Sequence, residues 1–276
     1  MKRIILLFLI CLGFSFSVLA APKNDFNKLL PILTKKTDEK EVTPKTTDEL
    51  MERFKNSDKE LPRIFVKKLP SDFAQKGDKI LYSKVISALI LRENEQILNE
   101  RILFLLLKEK FDKGEKWTSE EQAYFDYLVD KYDAIVLKTV STKINDLILK
   151  IDEIPPSLAV VQTGLDTDFG QKNMESPFGQ MGWLDNKTYA PIKYENLSDA
   201  VREYVKEMNA TPNYDSWRSM RALKTYQQTP QITYHLATEL NTYRPEDVEY
   251  LEKLRKLLDE EKFIFGMDDL NLKKNK

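Results

Sequence analysis

The chain has 276 residues with 43 Lys+Arg, 44 Asp+Glu and one His, a formal net charge of −1. Its hydrophobic fraction of 42%, with 14 Phe, 12 Tyr and 3 Trp, excludes global disorder, and the near-neutral charge argues against nucleic-acid binding, which needs surplus Lys and Arg for phosphate. One Cys and one His exclude ordinary Cys/His zinc sites, and eight Gly with neither GxGxxG nor GxxxxGK[ST] speak against Rossmann and P-loop folds, so no cofactor or metal is expected and carboxylates and hydroxyls remain for chemistry.

Residues 1–21, MKRIILLFLICLGFSFSVLAA, read as a secretory signal peptide. Lys2 and Arg3 form the positive start, Ile4–Leu19 the apolar run, and Val18-Leu19-Ala20 the small-residue cleavage pattern. The run is shorter than the ~20 residues of a membrane span. Cleavage after residue 20 would remove Cys11, leave no cysteine, and send a protein without a stable membrane span across the inner membrane to the periplasm.

Residues 21–60 are polar and charge-dense, which predicts a tether carrying a short helix to about Lys55, opened by the capping box Thr46-x-x-Glu49. Folded chain is expected from residue 61, with a short extended piece at Arg63–Lys67. A helical N-terminal region follows over 61–150. Val85, Ile86, Leu89, Ile90, Ile97, Ile102, Leu105 and Leu106 mark one apolar face of a helix from about Asp78 to Lys113. Glu93 falls on that face, where an internal ion pair with an Arg is expected ahead of a site carboxylate. Thr118-x-x-Glu121 opens a helix to about Tyr132, and another covers about Thr142–Ile151.

Pro156 then opens a nearly continuous apolar helix, Pro156-Ser-Leu-Ala-Val-Val-Gln, the pattern of a central buried helix. It ends near Asp166–Gly170. Turn residues crowd 171–194 and predict a small lobe with short strands. Helices are expected again at about Ser198–Asn209, Tyr214–Lys224, Thr233–Thr242 and Pro245–Lys262, within a unit spanning 151–265. A polar, frayed tail occupies 266–276. The fold class is therefore mainly α with a small β lobe.

A carboxylate at the end of a core helix facing a small β lobe suits glycosidic cleavage, because such a group can protonate the leaving oxygen. The residues here carry a resemblance. Ile154-Pro-Pro-Ser-Leu-Ala-Val-Val-Gln162, Thr167-x-x-Gly170 directly after Asp166, Pro177-Phe-Gly-Gln180 and Tyr194-x-x-Leu-Ser-Asp-Ala-Val-Arg-Glu-Tyr204 occur in order, followed by Asn209, Pro212, Tyr214, Arg218 and Arg221. Together with Leu61-Pro-Arg-Ile-Phe65, Arg92-Glu-Asn-Glu-Gln-Ile97 and His235-Leu-Ala-Thr-Glu-Leu240, this series resembles the Bax-like branch of bacterial glucosaminidase-domain peptidoglycan hydrolases over about 61–262.

The resemblance implies a lysozyme-like helical domain that cleaves glycan strands of peptidoglycan next to N-acetylglucosamine. It places Asp166 where the family has its general-acid Glu. Asp is shorter by one methylene, about 1.5 Å, and a ~1 Å misplacement can cost about 10²-fold in rate. Three readings therefore stand open: Asp166 serves as the acid, Glu175 or Asp168 replaces it, or the protein binds cell-wall glycan, or scaffolds, without cutting. Gln180 is a candidate for an N-acetyl group, with surface exposure as its other reading, and Trp183 for stacking on a sugar, with core packing as its other reading. Tyr204 and Tyr214 are substrate-binding candidates on helical faces, where core packing is expected ahead of ligand contact. Arg202, Arg218 and Arg221 are expected in local salt bridges. A Ser-His-acid triad would have to use His235, and no GxSxG elbow accompanies it.

Overall fold

In the computed structural model the described residues are 26–35, 39–183, 188–227, 232–240, 243 and 247–274. The expected signal segment lies outside them. The protein is mainly helical with three short strand pairs. Among the described residues no helix is long and apolar enough to cross a membrane.

The chain begins with α1 (Phe26–Leu33), β1 (Lys40–Val42) and α2 (Thr47–Arg53). The segment expected to be a tether is instead applied to the body. Phe26 is buried edge-on against Tyr124, and Leu50 and Phe54 are buried too. The strands β2 (Glu60–Leu61) and β3 (Ile64–Val66) follow. β1 runs parallel to β3 with Lys40 opposite Ile64. Ion pairs tie this seam to residues 92–95 of the helix that follows: Arg63 takes Glu95 at 2.6 and 2.9 Å, and Arg92 takes Glu41 at 3.2 Å. Arg92 also holds Glu93 at 2.9 Å, which is the internal pair expected for that carboxylate.

After the short helix α3 (Phe73–Lys76) comes α4 (Lys79–Asp112), 34 residues without Gly or Pro and about 51 Å long at 1.5 Å per residue. Asp78 caps its start by accepting from Leu81 N–H at 2.7 Å. A Schellman turn ends it: Gly114 at φ +71° donates to Phe111 O, and Glu115 N–H reaches Lys110 O. The first half buries the expected face. In the second half Leu105 is exposed, and Leu103, Phe104 and Leu107 are buried instead. The packed side rotates there because α4 meets α1 and α5 as well as α7. The helix α5 (Ser119–Lys131) carries both bonds of the Thr118/Glu121 capping box, and α6 (Val140–Lys150) is capped by Thr139.

The central helix α7 (Pro156–Thr167) is buried along nearly its whole length against α4 and the C-terminal elements. The hairpin β4 (Met181–Trp183) and β5 (Tyr189–Pro191) is antiparallel, with Gly182 opposite Ala190. Then come α8 (Leu197–Ala210), a 3-10 turn at Pro212–Tyr214, α9 (Asp215–Gln227), α10 (Ile232–Ala237) and α11 (Tyr250–Glu260). The last two are shorter than expected, and the expected start at Pro245 lies outside the described residues.

The tail is tied rather than frayed. A 3-10 helix, Lys262–Asp269, leads into β6 (Asn271–Leu272), which pairs with β2, with Leu270 and Leu272 turned inward. Asp268 accepts from Ser157 N–H at 2.9 Å and from Ser157 Oγ at 2.5 Å, so a residue of the expected tail caps the central helix, a role its Pro155 N-cap cannot fill. Asp268→Ala should therefore lower unfolding stability by about 0.5–2 kcal/mol, the range for loss of a cap. Asp269→Ala, which removes an exposed carboxylate, should leave it unchanged; urea unfolding of both variants makes the comparison.

Candidate active site

Asp166 sits in the last turn of α7, half-buried. Three successive left-handed residues follow: Asp168 (φ 50°), Phe169 (φ 52°) and Gly170 (φ 87°). A left-handed Phe is unfavourable on its own. Burial of its ring compensates, packed edge-on to Tyr82 at 6.1 Å. Gly170 is required twice over, by its φ and because a Cβ would lie 2.7 Å from the Tyr82 ring. The turn is closed by Phe169 N–H to Gly164 O and by Gln171 and Lys172 N–H to Thr167 O. Asn173 Nδ2 donates to the Asp166 carbonyl at 3.3 Å. The Asp166 charge reaches two buried phenols. Burial pushes the Tyr82 hydroxyl up to about 12, and Asp166 adds to the shift; burial likewise raises Tyr243, with Asp166 and Glu207 contributing.

Glu175 lies on the next turn and is exposed, with Lys193 Nζ at 2.7 Å. It borders a groove of about 370 Å³ between residues 67–74 and the segments at Gly170–Glu175 and Tyr194–Leu197. Glu175 lines this groove and Asp166 does not. Asp168 is exposed.

The structure places three substrate-binding candidates in the interior; for Tyr204 and Tyr214 this is the core packing expected ahead of ligand contact, whereas for Gln180 it is neither of the expected roles. Gln180 is buried: its Nε2 donates to Glu207, and its Oε1 accepts from Tyr194 O–H at 2.7 Å. Tyr204 is fully buried, stacked on Phe178 at 4.2 Å, and donates to Gln162 Oε1 at 2.6 Å. Tyr214 is buried and donates to Glu207 Oε1 at 3.2 Å. Their polar ends are consumed by internal partners, so these residues position the site rather than face a ligand. Trp183 closes β4, and its side chain lies outside the described residues.

Sequence reasoning missed Glu207 and Tyr243. Glu207 shares a face of α8 with Ala200 and Tyr204, so an acid on a mostly apolar helical face was the available signal. Tyr243 donates to Phe178 O at 2.8 Å and so ties down the turn into the lobe, a contact that no local pattern announces.

The arginines are structural. Arg202 pairs with Asp199 at 2.7 Å on the surface. Arg218 is buried and donates to Met208 O and Thr211 O as well as to Asp215. Arg221 is buried over the Trp217 ring and donates to Leu149 O, to Asn209 Oδ1 and to the carbonyls of Asp152 and Glu153. Carbonyl capping, more than the expected pairing with acids, occupies the last two. His235 sits on α10, half-buried. Among the described residues no three His, Cys, Asp or Glu converge as metal ligands.

Comparison with protein families, with curated proteins and with solved structures gives no match for this chain.

One more carboxylate stands apart, at the opposite end of α7. Glu153 is exposed at its edge, but desolvation of its carboxyl by the atoms packed beside it, with the adjacent Asp152 charge, pushes it up to about 7. The folded state thus holds this proton more tightly than the unfolded chain, whose carboxyl titrates near the ordinary value. The resulting stability is present in full at acid pH and is lost as pH rises toward 7. Glu153→Gln should remove that part of the pH dependence and raise stability at pH 8 relative to wild type, as read by thermal unfolding across pH 4–8.

Proposed function

We propose that this chain is a secreted, periplasmic peptidoglycan hydrolase of the glucosaminidase type, cutting glycan strands beside N-acetylglucosamine on a lysozyme-like helical frame. Asp166 is its general acid, and Glu175 is the candidate second carboxylate. One observation carries the reading. Asp166 stands at the end of a sealed helix, two residues before a left-handed turn and ahead of a short antiparallel hairpin. That is the order of parts in which the ordered motif series places a catalytic carboxylate. A general acid must reach the glycosidic oxygen from a fixed seat. The Gly170 turn and the Phe169 anchor supply such a seat.

A second reading has its own observation. The groove is lined by Glu175 and not by Asp166, and Gln180, Tyr204 and Tyr214 are engaged internally. This favours a cell-wall glycan-binding protein that does not cut.

Digestion of purified peptidoglycan separates the two. The hydrolase reading expects fragments ending in reducing N-acetylglucosamine by mass spectrometry, with release reduced at least 10²-fold in Asp166→Asn. No release from folded wild-type protein that still sediments with the cell wall establishes the binding reading instead.

A further inference from the structure

The groove beside the Asp166 turn is built by two distant parts of the chain. Residues 67–74 form one wall; the turn at Gly170–Glu175 and the entry to α8 form the other. The walls are stitched together by Leu197 N–H to Lys67 O at 2.7 Å, and the two parts of the second wall are joined by Tyr194 N–H to Glu175 O at 2.8 Å. We infer that this groove is a sugar subsite that seats one N-acetylhexosamine unit of a glycan strand against the ring of Tyr194. The inference rests on the glycan chemistry proposed above and extends it to residues 67–74, upstream of the 151–265 unit that carries Asp166.

Size, charge and rigidity all bear on the occupant. The volume of about 370 Å³ lies at the small end of the roughly 300–1,000 Å³ of ligand clefts, enough for a compact ring and not for a long peptide. The charges balance: Lys67 and Lys68 face Glu175 and Glu195. Lys67 is already held by Glu41 at 3.1 Å, and Glu175 by Lys193. An anion would meet the two carboxylates and a cation the two ammoniums, so the groove favours a neutral ligand with many hydroxyls. Pro70 and Met174 add apolar surface for the C–H face of a sugar and its acetyl methyl.

Tyr194 is anchored for this task. Its hydroxyl donates to Gln180, whose amide donates to Glu207, which also accepts from Tyr214. This relay gives a physical reason for a buried Gln180: it fixes the ring from behind, and a ring held in advance loses little freedom when a sugar stacks on it. Gln180 is thus a positioning residue, and Tyr194 the contact.

The test titrates the full chain with chitotriose, the neutral N-acetylglucosamine trisaccharide, by calorimetry and NMR. Tyr194→Ala should weaken binding at least tenfold. Ser71→Trp and Ala74→Trp, substitutions at exposed residues of the groove wall, should do the same by filling it while leaving the circular dichroism and Tm unchanged. Tyr194→Phe keeps the ring but drops the Gln180 anchor and should give an intermediate loss. The inference is overturned if chitotriose fails to bind at millimolar concentration, if both Trp variants bind it as wild type does, or if a free stem peptide occupies the groove instead. The two proposals fail separately. Cleavage with an unaltered KM in the Trp variants removes the subsite and leaves the hydrolase; groove binding without cleavage removes the hydrolase and leaves the subsite.

Discussion

Ten of the twelve residues of α7 are buried, and four of those ten, Ser157, Gln162, Thr163 and Thr167, carry polar side chains. An unpaired polar group in such a setting costs about 1–3 kcal/mol. Each of the four finds a partner, and the partners come from all around the molecule. Tyr82 of α4 meets Thr163 and Thr167, Tyr204 of α8 and Tyr250 of α11 meet Gln162, and Thr233 of α10 and Asp268 of the C-terminal 3-10 helix meet Ser157. The surrounding elements are therefore specified by hydrogen bonds as well as by apolar burial. The seat of Asp166 inherits its rigidity from the same bonds, since Thr167 Oγ1 also accepts from Gly170 N–H at 3.0 Å.

Much of this architecture was legible in the residues. The Thr46 N-cap, the Thr118 capping box, the proline opening α7 and the turn cluster before the hairpin all act locally, and the structure places helices and strands beside them. What escaped notice depends on distant partners. β1 and β6 are two or three residues long, too short for a period, and each forms only because a parallel partner waits elsewhere. Asp268 reads as part of a polar tail until the Ser157 N–H is placed beside it. The second half of α4 buries a rotated face because its neighbours change along its length.

The candidate site divides the same way. Asp166 at a helix end could be placed from sequence, because a helix end is a local event. The duties of Gln180, Tyr204 and Tyr214 could not, because an amide or phenol serves a ligand or a neighbour according to what lies opposite it. Here Glu207 and Gln162 lie opposite. The outcome is a layered site: an interior network of tyrosines and amides, a helix end carrying Asp166 with a left-handed turn just after it, and an outer groove in which Tyr194 is held by that network.

The central claim is that a glycan strand runs from the Tyr194 groove past the Asp166 turn. A crystal structure of the Asp166→Asn protein with a bound peptidoglycan glycan fragment tests it most directly. The account predicts one N-acetylhexosamine stacked on Tyr194 and a glycosidic oxygen within hydrogen-bond reach of residue 166. A fragment bound elsewhere, or seated in the groove with every glycosidic oxygen out of that reach, would contradict it.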